Sequence, residues 1–317
     1  MKTSHFLKIA AILIFAMAFT LTGCKKDDLT SGTKDSKSLK QLSADEANVE
    51  QLTDESLQDV DGFLTQGGNG GGLKSIEGNG IPCNVTVDSA YVLNDTLTII
   101  FNYNGLDCNG KRLRTGKVEI SKKIGSFWFQ AGSAVTIKYI NFSVTKVATG
   151  VTTVFNGTRK FENVTGGGIW QLYNGTASSI VHRISGNMNV TFDDGTTRSW
   201  NMARQRTYTG TLQNLLCTVD GFGTSGDYTN LVSWGTNRDG ELFYTQITQS
   251  IVHRKACEWH PVSGIKVHMI PSASKSGTVT FGFDSNNQPV TGDDCPTHYK
   301  LDWVNGNQTG TSYLPLQ

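Results

Sequence analysis

The chain has 317 residues, with 28 basic and 27 acidic side chains and a formal net charge of +1. That balance leaves no basic surplus for nucleic acid or an anionic membrane surface. Charged residues make up 17% of the chain, below the roughly 25% usual for globular proteins, and 35 residues are glycine. With Thr, Ser and Asn carrying most of the polarity, the profile is that of an exported, β-rich protein with many tight turns.

The chain opens with Lys2 and Lys8 around the start of an apolar run, Ile9 to Leu21. The run has the length of a signal-peptide core and is too short to span a bilayer. Directly behind it, Leu21-Thr22-Gly23-Cys24 resembles the lipobox of bacterial lipoproteins. The resemblance implies cleavage before Cys24 and acylation of its thiol and new amino terminus, with residues 1–23 as signal peptide. One acyl chain anchors only marginally, at roughly 0.8 kcal/mol per buried methylene, so the several chains of a bacterial lipoprotein are what make such an anchor stable. The next residues, Lys25-Lys26-Asp27-Asp28, resemble the export signal of surface-exposed lipoproteins of the Bacteroidota. On that resemblance Lys26, Asp27 and Asp28 direct the protein to the outer face of the outer membrane.

Residues 24–42 are polar and read as a flexible tether. Ser43 and Glu46 then form a capping box. Val49, Leu52, Val60, Phe63 and Leu64 follow at mostly helical spacing, which predicts a helix over 43–65, with Thr53 to Ser56 as a place where it could restart or kink. Its apolar face requires a packing partner. Gln-Gly-Gly-Asn-Gly-Gly-Gly (66–72) ends it and begins a Gly-rich hinge over 66–81.

From residue 82 to 317 the period becomes two. Leu97-Ile99-Phe101-Tyr103, Val118-Ile120, Val135-Ile137-Tyr139, Met188-Val190-Phe192, Ile265-Val267-Met269, Val279-Phe281-Phe283 and Tyr299-Leu301-Trp303 alternate with polar residues. Alternation of this kind marks antiparallel strands with one wet face. Seven Asn-Gly or Asp-Gly pairs, at 104, 109, 156, 174, 194, 239 and 305, predict hairpin turns. The predicted fold is all-β, a large antiparallel meander or sandwich-like sheet preceded by one N-terminal helix. Ser-Ile-Val-His-Arg occurs twice, at 179–183 and 250–254, and reads as recurrence of one hairpin type. Cysteine, Asn-Gly and strand positions from Cys83 through 102–117, 132–137 and 198–200 to 257–264, 292–295 and 305–306 resemble the same group of Bacteroidota surface lipoproteins. That resemblance brings no activity with it.

Beyond Cys24 stand five cysteines. Spacing suggests Cys83 with Cys108 and Cys257 with Cys295, leaving Cys217 buried and free, although five cysteines allow other pairings. His253, Cys257, His260 and His268 are ligand types for zinc, but paired short Cys/His spacings are absent, so no metal is assigned. Asp193-Asp194 and Asp293-Asp294 read as turn residues rather than as a glycosidase pair. No nucleophile elbow, P-loop, zinc-protease or dinucleotide motif is present, so no catalytic residue and no cofactor is assigned. Phe127-Trp128-Phe129 reads as three aromatics in a strand, which cannot all face one side, and so marks a candidate ligand contact. The expected role is non-enzymatic: adhesion, envelope structure or ligand capture. The alternative is a glycan-binding or glycan-active accessory protein. The membrane, through the anchor, and a glycan or protein ligand are the expected partners.

Overall fold

The computed structural model describes residues 37–66 and 81–316, without the side chains of Gln66, Asp88 and Ser89. Helix α1 spans Lys37–Gln66. The strands are β1 (Val85–Leu93), β2 (Thr96–Leu106), β3 (Arg112–Lys123), β4 (Ser133–Lys146), β5 (Thr152–Asn163), β6 (Ser179–Phe192), β7 (Thr197–Thr209) and β8 (Leu216–Gly221). They continue as β9 (Gly223–Ser225), β10 (Tyr228–Thr236), β11 (Leu242–Arg254), β12 (Pro261–Ile270), β13 (Lys275–Phe283), β14 (His298–Asn305) and β15 (Gln308–Pro315). A single helical turn, α2 (Trp170–Tyr173), lies between β5 and β6.

All fifteen strands belong to one sheet, and every named pairing is antiparallel. The order follows the chain except at one slot. There β10 pairs with the first half of β7 (Trp200–Met202) and β8 with its second half (Arg204–Thr209). On the far side β11 meets β10 with its first half and β8 with its last residues. Two short strands thus fill the place of one long one.

The helix begins six residues earlier than the capping box predicts. Leu39 and Leu42 continue the 3–4 spacing of the apolar stripe, and both are buried. Residues 37–42 are therefore helix rather than tether. Ser43 does not cap: its hydroxyl donates to Tyr299 Oη at 3.2 Å. α1 runs unbroken through Thr53–Ser56, where the Thr53 hydroxyl donates to the Val49 carbonyl at 2.6 Å and the Ser56 hydroxyl to the Thr53 carbonyl at 2.9 Å.

The partners of α1 advance through the sheet as the helix advances. Leu39 lies against Gly277 of β13 and Ser43 reaches β14; Glu46 meets β7 and β10; Thr53 meets β5 and Ser56 meets β4; Asp59 meets β3, and Phe63 packs on Phe101 of β2. The helix therefore lies across the strands. From Ser43 to Phe63 it rises about 30 Å, whereas ten strand spacings from β14 to β2 measure about 48 Å if flat. The sheet must curl around the helix, which is why, of residues 37–65, Lys37, Gln58 and Thr65 alone are exposed.

Glycines permit that curl. A Cβ on Gly186 would sit 2.2 Å from the Thr158 carbonyl oxygen, and one on Gly157 would sit 2.3 Å from that of Asn187. Adjacent backbones approach closely at both points, on the helix side of the sheet. This also corrects two expected turns. Asn156-Gly157 lies inside β5, where Asn156 Oδ1 accepts the Asn141 N–H at a bulge of β4, and Asn104-Gly105 lies inside β2. The pairs at 109, 174, 194, 239 and 305 do lie at turns.

The two Ser-Ile-Val-His-Arg copies are not one hairpin type. The first opens β6 and the second closes β11. Both turn Ile and His toward the helix side: His182 pairs in register with Arg206 of β7, and His253 with Cys217 of β8. They flank the β7–β8 pair from its two sides.

Candidate functional site

The first site is the interior. Helix α1 carries seven acids, and each has a partner in the sheet or its loops. Asp45 accepts from Arg238 at 2.6 Å, Glu50 lies 3.7 Å from Lys266, and Glu55 lies 3.5 Å from Arg112. Glu46 is fully buried between Arg198 and the Ser233 hydroxyl. Asp54 receives Arg204 at 2.8 Å together with Arg206. Asp59 receives Arg114 at 2.5 Å and the Tyr103 hydroxyl at 3.1 Å, and Asp61 receives the Trp128 indole N–H at 3.0 Å. Each acid of this buried polar helix is thereby paired, which limits the cost of its desolvation.

The environments tune these acids in opposite directions. Burial pushes Asp54 up, but Arg204 and Arg206 more than offset it and hold the carboxyl at about 2. Burial raises Asp61 to about 6, and the Trp128 hydrogen bond and Arg206 offset only part of that. His182, desolvated and facing Arg206, falls to about 4.

Lys26, Asp27, Asp28 and Cys24 lie outside the described residues. Cys83 and Cys108 form a disulfide with Cα atoms 5.2 Å apart, which fastens the start of β1 to the β2–β3 turn. Cys257 and Cys295 form another at 5.4 Å, joining the turn after β11 to the β13–β14 connection. Cys217 is free and buried, and burial pushes its thiol up to about 11. His253 and His268 hydrogen-bond to the Trp259 carbonyl and the Thr245 hydroxyl, and Cys257 is taken by its disulfide, so these residues do not form the cluster their spacing suggests. Asp194 closes its own turn by accepting from Thr196, and it shares Arg238 with Asp45.

The three aromatics 127–129 are not in a strand but in the β3–β4 connection. Trp128 turns in to Asp61 and is buried, Phe129 is half-buried, and Phe127 is 48% exposed. The β5–β6 connection lies against them. Gly167 N–H donates to the Phe129 carbonyl, and a Cβ on Gly168 would fall 3.0 Å from the Phe129 ring and 2.7 Å from Trp170 Nε1. Trp170 is 53% exposed and Tyr173 39%. Two loops thus present Phe127, Trp170 and Tyr173 to solvent at one end of the sheet. Periodicity could not reveal Trp170 or Tyr173, since what places them is a single helical turn inside a loop. A separate shallow groove of about 470 Å³ opens on the outer face of β4–β7, lined by Thr136, Thr158, Lys160, Ser185, Asn187 and Asn201.

No protein-family model matches the chain, and neither a curated protein nor a solved structure does.

Proposed function

We propose that this protein is a lipid-anchored lipoprotein of the outer membrane, displayed at the cell surface, with a non-enzymatic adhesion, structural or ligand-capture role. The observation that carries the anchoring is Leu21-Thr22-Gly23-Cys24 behind an apolar core. What supports a scaffold role is the use of the interior: all seven acids of α1 are engaged in holding the helix inside the curled sheet. Ligands then meet the loops and the outer face. Cys24→Ala should abolish acyl labelling and release the protein from the membrane fraction. Unchanged labelling and fractionation of that variant would refute the anchor. Replacing Lys26, Asp27 and Asp28 by Ala should keep the lipid and lose antibody access on intact cells.

A second reading, glycan contact, is favoured by the exposed rings of Phe127, Trp170 and Tyr173 on adjoining loops. Aromatic faces offer a flat apolar surface beside amide groups such as Gln171 and Asn174. A glycan array with the wild type and Trp170→Ala tests it. Identical profiles for the two proteins exclude Trp170 from binding.

A further inference from the structure

At the centre of the interior the charges do not balance. Arg159, Arg204 and Arg206 gather around one carboxylate, Asp54, which Arg204 and Arg206 already occupy. The other acid near this group is Asp61, which faces Arg206 and binds Trp128. Arg159 is completely buried, and its one protein hydrogen bond runs from Nη1 to the Thr53 carbonyl at 3.3 Å. Its guanidinium lies 5.2 Å from the Trp200 ring and 5.8 Å from that of Tyr139. Four buried nitrogens of this group have no acceptor among the described residues: Arg159 Nε and Nη2, Trp200 Nε1 and Arg204 Nε.

Every one of these groups is a donor, on side chains that cannot accept. An arginine does not solve its burial by giving up its proton, and an unpaired buried cation is strongly unfavourable. Ring faces supply only part of the missing stabilisation. The required occupant is a compact acceptor carrying negative charge. Among the described residues, the acids of α1 are already engaged along its length.

We propose that the interior binds a monovalent inorganic anion of halide size at the Nε–Nη2 edge of Arg159. The anion is enclosed by α1 on one side and by β5–β7 on the other, so it enters as the helix docks and stabilises the docked state. Bromide is the probe. In crystals of the protein grown from bromide, an anomalous peak is expected within hydrogen-bond reach of Arg159 Nε and Nη2. Water density there without an anomalous signal would overturn the proposal. In solution, denaturant unfolding is compared in bromide, in chloride and in a bulky organic sulfonate at equal ionic strength. The halides should give a saturable gain, and at ten times the dissociation constant the unfolding constant should fall about 11-fold. Equal midpoints in halide and sulfonate would refute binding. Arg159→Met should lose the halide-specific gain; retention of the full gain would place the anion elsewhere. If that variant does not fold, the wild-type crystal and the wild-type salt series decide the question alone.

Discussion

Glu46 offers the sharpest test of charge matching as the reason α1 is buried. Its carboxylate and the Arg198 guanidinium are both fully inaccessible, and the Ser233 hydroxyl donates to the second carboxylate oxygen. Arg198 also lies 4.6 Å from the centre of the Phe243 ring. Glu46→Leu strands a guanidinium in the interior and removes the acceptor of Ser233. Breaking a buried pair on one side costs about 3–5 kcal/mol. At about 2–4 °C per kcal/mol for a domain of this size, the melting temperature should fall by on the order of 10 °C. Arg198→Leu should cost a similar amount by stranding Glu46. The double variant Glu46→Leu/Arg198→Leu removes both charges and should be less destabilised than either single variant, because no unpaired ion remains. Urea unfolding followed by circular dichroism gives all four free energies. A loss below about 1 kcal/mol in Glu46→Leu, or strict additivity of the two single changes, would refute electrostatic locking of the helix.

Three further outcomes follow from the structure. Asp61 has a folded pKa of about 6, above its unfolded value, so the fold favours its protonated form. Its contribution is fully present below the unfolded pKa and is lost as pH rises through 6, by on the order of 2–3 kcal/mol. Melting temperatures between pH 4 and 8 should show that fall, and Asp61→Asn should flatten it; an unaltered profile in the variant would exclude Asp61 as the cause. Among the cysteines, alkylation of the folded protein should spare Cys217 and label it only after unfolding. Replacing Cys257 and Cys295 by Ser should cost about 4 kcal/mol by the loop-closure model. A cost below 1 kcal/mol would mean that the β13–β14 connection holds without its bridge.

Much of the fold was legible. Six of the seven alternating runs, in β2, β3, β4, β6, β13 and β14, place their apolar residues on the helix side; in β12 the order is reversed, with Lys266 and His268 buried and Ile265, Val267 and Met269 on the outer face. β7 was hidden for a physical reason. Its inward positions are Arg198, Trp200, Met202, Arg204, Arg206 and Tyr208, so half of its core face reads as surface. Arg159 in β5 has the same effect. The early start of α1 was visible in Leu39 and Leu42, but Ser43 and Glu46 had the spacing of a cap and outweighed them. In the fold both serve tertiary contacts. Of the candidate site, the disulfide partners followed from spacing, whereas Trp170 and Tyr173 depend on a loop conformation that has no sequence period.

The position of α1 also changes what a tether at its N-terminus would do. A leader helix packed on an outer surface could peel away without cost to the fold. Here the helix is the layer against which the sheet closes. Leu39, Leu42, Val49, Leu52, Val60 and Phe63 share one buried cluster with strand residues from Ile99 to Trp303. A load applied to Lys37 meets Leu39 on β13 and Ser43 on β14, then Asp45 with Arg238 and Glu46 with Arg198, and through these ion pairs it reaches β7, β10 and the β10–β11 turn. Those strands lie mid-sheet, paired on both sides, and not at its open edges β1 and β15. Pulling on the N-terminus therefore shears several ion pairs and an apolar stripe together, a cooperative resistance that an edge strand, released one hydrogen bond at a time, does not offer. Under the proposed anchoring at Cys24, this is the path by which a load would pass from the N-terminus into the sheet.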